Sequence, residues 1–140
     1  MNNYTMTSLA DDLTRREFSF MLTLEWFYRD SFNRDYRLFD VDLNGSDFAD
    51  LEGVYIIWRA SGIIPKAVYI GQGIIKNRLY AHRNNPDILQ YYSQKNPLYV
   101  AWAEVLRVHR TGVEMFLHNE LDPLVGEPPQ GNPIPVNLPP

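Results

Sequence analysis

The sequence predicts one α+β domain with an aromatic-rich N-terminal extension, on three observations. Two short apolar runs, GVYIIW and AVYIG, each carry a tyrosine, and between them lie Arg59, Ser61, Gly62, Pro65 and Lys66, the composition of a hairpin connection. A third run, LYVAWAEVLRV, alternates, with Leu98, Val100, Trp102 and Glu104 on one face and Tyr99, Ala101, Ala103 and Val105 on the other. Helical spacing follows the second run and again follows the third. A chain of 140 residues is long enough for one domain with a hydrophobic core and too short for two comfortable ones.

Residues 1–50 form the extension, in which Phe18, Phe20, Leu22, Leu24, Trp26 and Tyr28 alternate with Ser19, Met21, Thr23, Glu25 and Phe27. Alternation favours a strand, Met, Leu and Glu also suit a helix, and either form buries the run against the rest of the domain. Asn44-Gly45-Ser46-Asp47 is a turn, after which Phe48 to Glu52 lead into the first tyrosine strand. Gly53-Val54-Tyr55 and Tyr69-Ile70-Gly71 then place one phenol on each of two neighbouring strands, either as core aromatics or side by side at a site. Gln72-Gly73 opens a helix, IIKNRLYAHRN, in which Ile75 and Leu79 bury while Arg78 and His82, also four apart, share the adjoining face. Asn84-Asn85-Pro86 ends or kinks it, and Asp87 to Ser93 add a further turn.

The third strand is apolar on both faces, which expects it inside the sheet. Thr111-Gly112-Val113-Glu114 begins a second helix whose core stripe is Val113, Phe116, Leu117 and Leu121. Glu114 borders that stripe one turn before His118, and Thr-x-x-Glu is equally a capping-box signature. Pro123 closes the helix, and the tail GEPPQGNPIPVNLPP (residues 126–140) is extended.

With no cysteine, a disulfide framework and a thiolate metal site or nucleophile are excluded. No apolar stretch approaches the roughly 18 residues of a membrane span, and the start MNNYTMTSLADD lacks a basic region followed by an apolar one. A soluble cytoplasmic protein is expected. The net charge of −4 conceals a partition: residues 1–52 carry −6, residues 53–110 carry +6 and residues 111–140 carry −4. A basic middle between acidic ends reads as a local phosphate-binding surface, or else as ordinary solvated faces.

Taken together, GVY, YIG, a helix bearing Arg78 with His82 one turn on, and a later helix with Glu114 nine residues before Pro123 resemble the GIY-YIG nuclease domain, in that order. The resemblance covers about residues 51–126. It implies a small three-stranded antiparallel sheet flanked by helices, and hydrolysis of a DNA phosphodiester with one divalent ion, Mg²⁺ or Mn²⁺. Such a reaction needs positive charge at the phosphate oxygens, a deprotonated water and stabilisation of the leaving oxygen. By the resemblance Glu114 is the metal ligand, Arg78 holds the phosphate, Tyr55 activates the water and Tyr69 positions it or bonds the phosphate. An unperturbed phenol with pKa about 10 is a poor base at neutral pH, so Arg78 and the metal must depress Tyr55, or its proton must pass to His82. Gly71, Gln72, Lys76, Arg83, Lys95 and Arg107 are candidates for contacting nucleic acid.

Three features depart from the family's pattern. Gln72 stands where many relatives have a lysine or other polar group, with Lys76 or Lys66 as replacements. The gap between the tyrosine motifs is a few residues longer than usual, and Gly126 replaces a common asparagine that Asn132 or Asn137 would supply by folding back. His118 is a further candidate near the metal, His109 a surface residue, Trp58 and Trp102 core residues, and Tyr91-Tyr92 either core or base-stacking aromatics. The expected partner is DNA, with RNA as the alternative and a homodimer or second protein supplying the target. Two other functions compete with the nuclease: a nucleic-acid-binding module of the same fold with negligible cleavage, and an interaction protein whose acidic N-terminal segment covers its basic face.

Overall fold

In the computed structural model, which describes residues 21–140, a turn of 3-10 helix at Ser46–Phe48 leads into strand β1 (Glu52–Ser61). There follow β2 (Ile64–Ile74), α1 (Ile75–His82), α2 (Pro86–Leu89), β3 (Leu98–Glu104) and α3 (Arg107–Leu121). The strands form one antiparallel sheet in the order β2-β1-β3, so the architecture is the expected α+β one. Among the described residues, no helix is long and apolar enough to cross a membrane.

The hairpin is tighter than its composition suggests. Ser61 pairs with Ile64, so only Gly62 and Ile63 turn, with Gly62 at φ +66°, where glycine carries no steric cost. Arg59, Pro65 and Lys66 belong to the strands. Pro65 is tolerated because β2 lies at the sheet edge. Register breaks once: Ile57 faces Tyr69 while Trp58 faces Ala67, leaving Val68 as an unopposed bulge residue. Val68 and Tyr69 consequently join the same face as Tyr55 and Ile57, and Ala67 and Ile70 join the other.

Each face has its own core. On one, Val54, Ile56, Ala67, Ile70, Ala101 and Ala103 meet Val113 and Leu117 of α3 together with Leu24, Trp26 and Val136 from the chain ends. On the other, Tyr55, Ile57, Val100 and Trp102 meet Ile75 and Leu79 of α1, Ile88 of α2, and Leu38, Leu43 and Phe48. β3 is not interior to the sheet; it is an edge whose outer margin the extension covers. Phe27 and Trp102 exchange two backbone bonds of 2.8 and 3.0 Å, Val100 N–H donates to Tyr36 O, and Leu38 N–H donates to Leu98 O. That cover, with burial on both faces, explains why an edge strand has the composition of a central one.

Within the extension, Leu24 and Trp26 are buried while Thr23, Glu25 and Phe27 are exposed, so the segment is extended from Leu22 to Tyr28. Phe18 and Phe20 lie outside the described residues. The tail packs beside it: Asn137 bonds both Leu24 N–H, at 2.6 Å, and Leu24 O, at 2.9 Å. The capping-box expectation at Thr111 fails, because α3 starts at Arg107 and Thr111 is already inside it. Arg110 secures this earlier start by donating to Val105 O at 3.0 Å and to Glu52 Oε1 at 2.9 Å.

Candidate active site

β1 and β2 bring the two phenols together because Tyr55 is opposite Gly71 and Tyr69 is opposite Ile57, adjacent positions on one face. Helix α1 follows β2 directly and folds over that face, its Ile75 N–H bonded to Leu51 O and its Ile75 and Leu79 fully buried. Burying that stripe turns Arg78 and His82 onto the tyrosines. His82 Nε2 lies 2.6 Å from Tyr55 Oη, and Arg78 donates from Nε to the same oxygen at 3.3 Å and from an Nη to Tyr69 Oη at 3.5 Å. The tyrosine rings stack at 6.2 Å, and the His82 ring is 4.4 Å from Tyr69. Gly71 is required beneath them, since a β-carbon there would stand 2.3 Å from Tyr55 Oη.

The electrostatics of this cluster oppose a simple tyrosine base. Tyr55 is fully buried, and desolvation raises its pKa above the ordinary phenol value although the Arg78 charge and hydrogen bond lower it. Burial, with Arg78 nearby, pulls His82 down to about 4, so the imidazole is neutral at pH 7. Because Arg78 donates to the Tyr55 oxygen, the phenol's own proton points to Nε2, and His82 carries its proton on Nδ1, which is buried without a partner. Tyr69, in contrast, is partly exposed.

Glu114 comes from α3, on the opposite face of the sheet, and is 8% exposed. Burial raises its pKa, while a hydrogen bond from the Gln72 side chain and the Arg78 charge lower it. Gln72 also donates to Thr111 Oγ1 at 3.3 Å, which ties β2 to α3 at this point. The link between the two faces is therefore the edge segment Gly71-Gln72-Gly73, where the first and third residues have no side chain to intervene. Glu114 Oε2 lies 3.5 Å from His118 Nε2. Burial lowers the His118 pKa, and a backbone hydrogen bond at Ile70 and the Glu127 charge offset this. Among the described residues no group of three or more His, Cys, Asp or Glu gathers around one point.

Other expected site residues have structural work. Arg83 donates to Leu38 O at 2.8 Å and to Val41 O at 2.7 Å, fixing the extension rather than facing solvent. Lys66 Nζ caps the last carbonyls of α3 at Leu121 and Asp122, and Asn137 is held at Leu24, so neither substitutes at the site. Gly126 has φ +93° and its missing β-carbon would lie 3.0 Å from the Tyr69 ring, so that ring fills the space an asparagine would need. Lys95 and Arg107 are exposed, Lys76 is half-buried on α1, and Asn132 is exposed. Trp102 is core, Trp58 stacks on Tyr99, and Arg59 lies over the Tyr91 ring. In the extension, Asp35 and Asp30 pair with Arg29 and Arg34 of the extension itself.

Two contributions leave little signal in the sequence. His118 is a near neighbour of Glu114, and the i,i+4 spacing on one helix was its only signal. Gln72 holds β2 to α3 through Thr111, one turn before Glu114, a contact that residue type alone does not signal. Comparison with family models, with curated proteins and with solved structures finds no match.

Proposed function

We propose that the chain is a metal-dependent endonuclease of the GIY-YIG type that hydrolyses phosphodiester bonds in DNA. The observation that carries this reading is the convergence of Tyr55, Tyr69, Arg78 and His82 in one hydrogen-bonded cluster, with the helix of Glu114 tied to the same edge by the Gln72–Thr111 bond. These residues come from two strands and two helices, so adjacency in sequence does not produce their meeting. The site also suits a cation, because a buried carboxylate stands beside a ring nitrogen that has no hydrogen-bond partner. Glu114 holds the divalent ion, which when bound supplies Lewis-acid stabilisation of charge on the phosphate.

Each remaining role follows from exposure and donor geometry. Arg78 spends two N–H groups on the tyrosines, which orients the guanidinium, and its other N–H groups bind the phosphate. Burial suggests the opposite order of the phenols: Tyr69, partly exposed, orients the attacking water, and Tyr55, fully buried, positions Arg78. His82 accepts the Tyr55 hydrogen bond and holds that phenol in place. Lys76, Lys95 and Arg107 contact the DNA backbone. Plasmid incubated with Mg²⁺ or Mn²⁺ is expected to be cut by the wild-type chain and left intact by R78A and by E114Q.

The raised pKa of Tyr55 and the depressed pKa of His82 favour one second reading, a nucleic-acid-binding module with negligible cleavage. DNA binding that survives EDTA, with no cutting under Mn²⁺, would select it.

A further inference from the structure

We propose that Glu114 and His118 together form a two-residue divalent-metal site that prefers ions accepting an imidazole nitrogen, of the Zn²⁺ and Co²⁺ class, over Mg²⁺. The inference rests on the role given to Glu114 above and supplies its partner and its metal class. The residues stand one turn apart on α3, with Oε2 and Nε2 separated by 3.5 Å and side chains 11% and 4% exposed. His118 Nε2 is buried and makes no hydrogen bond, its 3.5 Å from Oε2 being long for one. A buried nitrogen lone pair beside a buried carboxylate oxygen is costly unless something positive is shared between them.

The separation fits an ion. With metal–donor bonds of about 2.0–2.2 Å and a tetrahedral angle, two ligands of one ion lie about 3.4 Å apart. The surroundings are those of a metal-binding pair as well. A neutral imidazole protonated on Nδ1 presents its unpartnered Nε2 as the donor atom. His118 also lines a cleft of about 550 Å³ with Asp122, Gly126 and Glu127, and Gly126 abuts the Tyr69 ring. No third protein ligand joins the pair among the described residues, so water and substrate oxygens would complete the coordination. Mg²⁺ prefers an all-oxygen octahedral shell, whereas imidazole suits the later first-row ions.

The test is Co²⁺ titration of the full chain followed by visible absorption. One Co²⁺ is expected per chain, displaced by Zn²⁺ but not by a large excess of Mg²⁺, with affinity lowered at least tenfold in H118Q and in E114Q. Unchanged Co²⁺ affinity in H118Q, equal competition by Mg²⁺, or no Co²⁺ bound would overturn the proposal. Should H118Q fail to fold, ¹⁵N spectra of the wild-type imidazoles decide: Zn²⁺ is expected to shift Nε2 of His118, and an unmoved resonance refutes the site. Since the readout is binding, Co²⁺ held through His118 without DNA cleavage leaves this site standing and removes the nuclease. Mg²⁺-driven cleavage with Co²⁺ affinity unaffected by H118Q does the reverse.

Discussion

Acidification tests the inner half of the cluster. The His82 ring is 3% exposed, lies beside the Arg78 guanidinium, and has its pKa lowered from 6.5 to about 4. The unfolded chain therefore takes up a proton as the pH falls through 6.5, whereas the native protein resists until about 4. Over that window the unfolded state binds more protons, and stability drops as pH falls. The slope is about 1.4 kcal/mol per pH unit for one proton, or about 3 kcal/mol across the whole window. His118, also lowered, acts in the same direction, and Glu114, raised, acts in the opposite one. Comparison with H82Q isolates the ring, since glutamine can accept from Tyr55 but does not titrate. Urea unfolding at steps from pH 7 to pH 4 should show the wild type losing about 3 kcal/mol more than H82Q. An imidazole of His82 that titrates near 6.5 by NMR, or equal pH slopes in the two proteins, would rule out a buried His82 held neutral beside Arg78.

Four further outcomes are expected. G71A drives a methyl against Tyr55 Oη and should cost about 1–3 kcal/mol in thermal or urea unfolding, with loss of cleavage. Y69F should abolish cleavage at nearly wild-type stability, while Y55F, which strips His82 and Arg78 of their shared oxygen, should also lose about 1–3 kcal/mol of stability by urea unfolding. R83A should lower stability by about 2 kcal/mol through the freed carbonyls of Leu38 and Val41 yet leave DNA affinity unchanged. In DNA-binding isotherms at several salt concentrations, R107A and K95A should each weaken binding evenly across sequences and reduce the salt slope by about 1.

The helix face that covers the tyrosines was legible because period-3.6 spacing pointed to it: Ile75 with Leu79, Arg78 with His82. What alternation did not convey was pairing. β3 is apolar on both faces whether its outer neighbour is a full strand or two short bridges at Phe27 and Arg37, so its edge position was hidden. The Val68 bulge, which sets Tyr69 beside Tyr55, has no residue signature of its own. Thr111 misled because Thr-x-x-Glu is read from types alone, while the actual start of α3 depends on Arg110 reaching back to Glu52 across 58 residues. For the same reason a basic count did not distinguish Arg83 and Lys66, spent on carbonyls, from Lys95 and Arg107 on the surface. Relative burial separates the two phenols, Tyr55 enclosed and Tyr69 partly exposed, and burial is a tertiary property.

If Tyr69, Arg78 and Glu114 form one hydrolytic site, the purified chain should cut supercoiled plasmid in a divalent-ion-dependent way. Nicked or linear product is expected with at least one of Mg²⁺, Mn²⁺, Co²⁺ or Zn²⁺, none in EDTA, and none from R78A, E114Q or Y69F at any of them. Intact plasmid from the wild type under every ion, or equal cutting by E114Q, would contradict it.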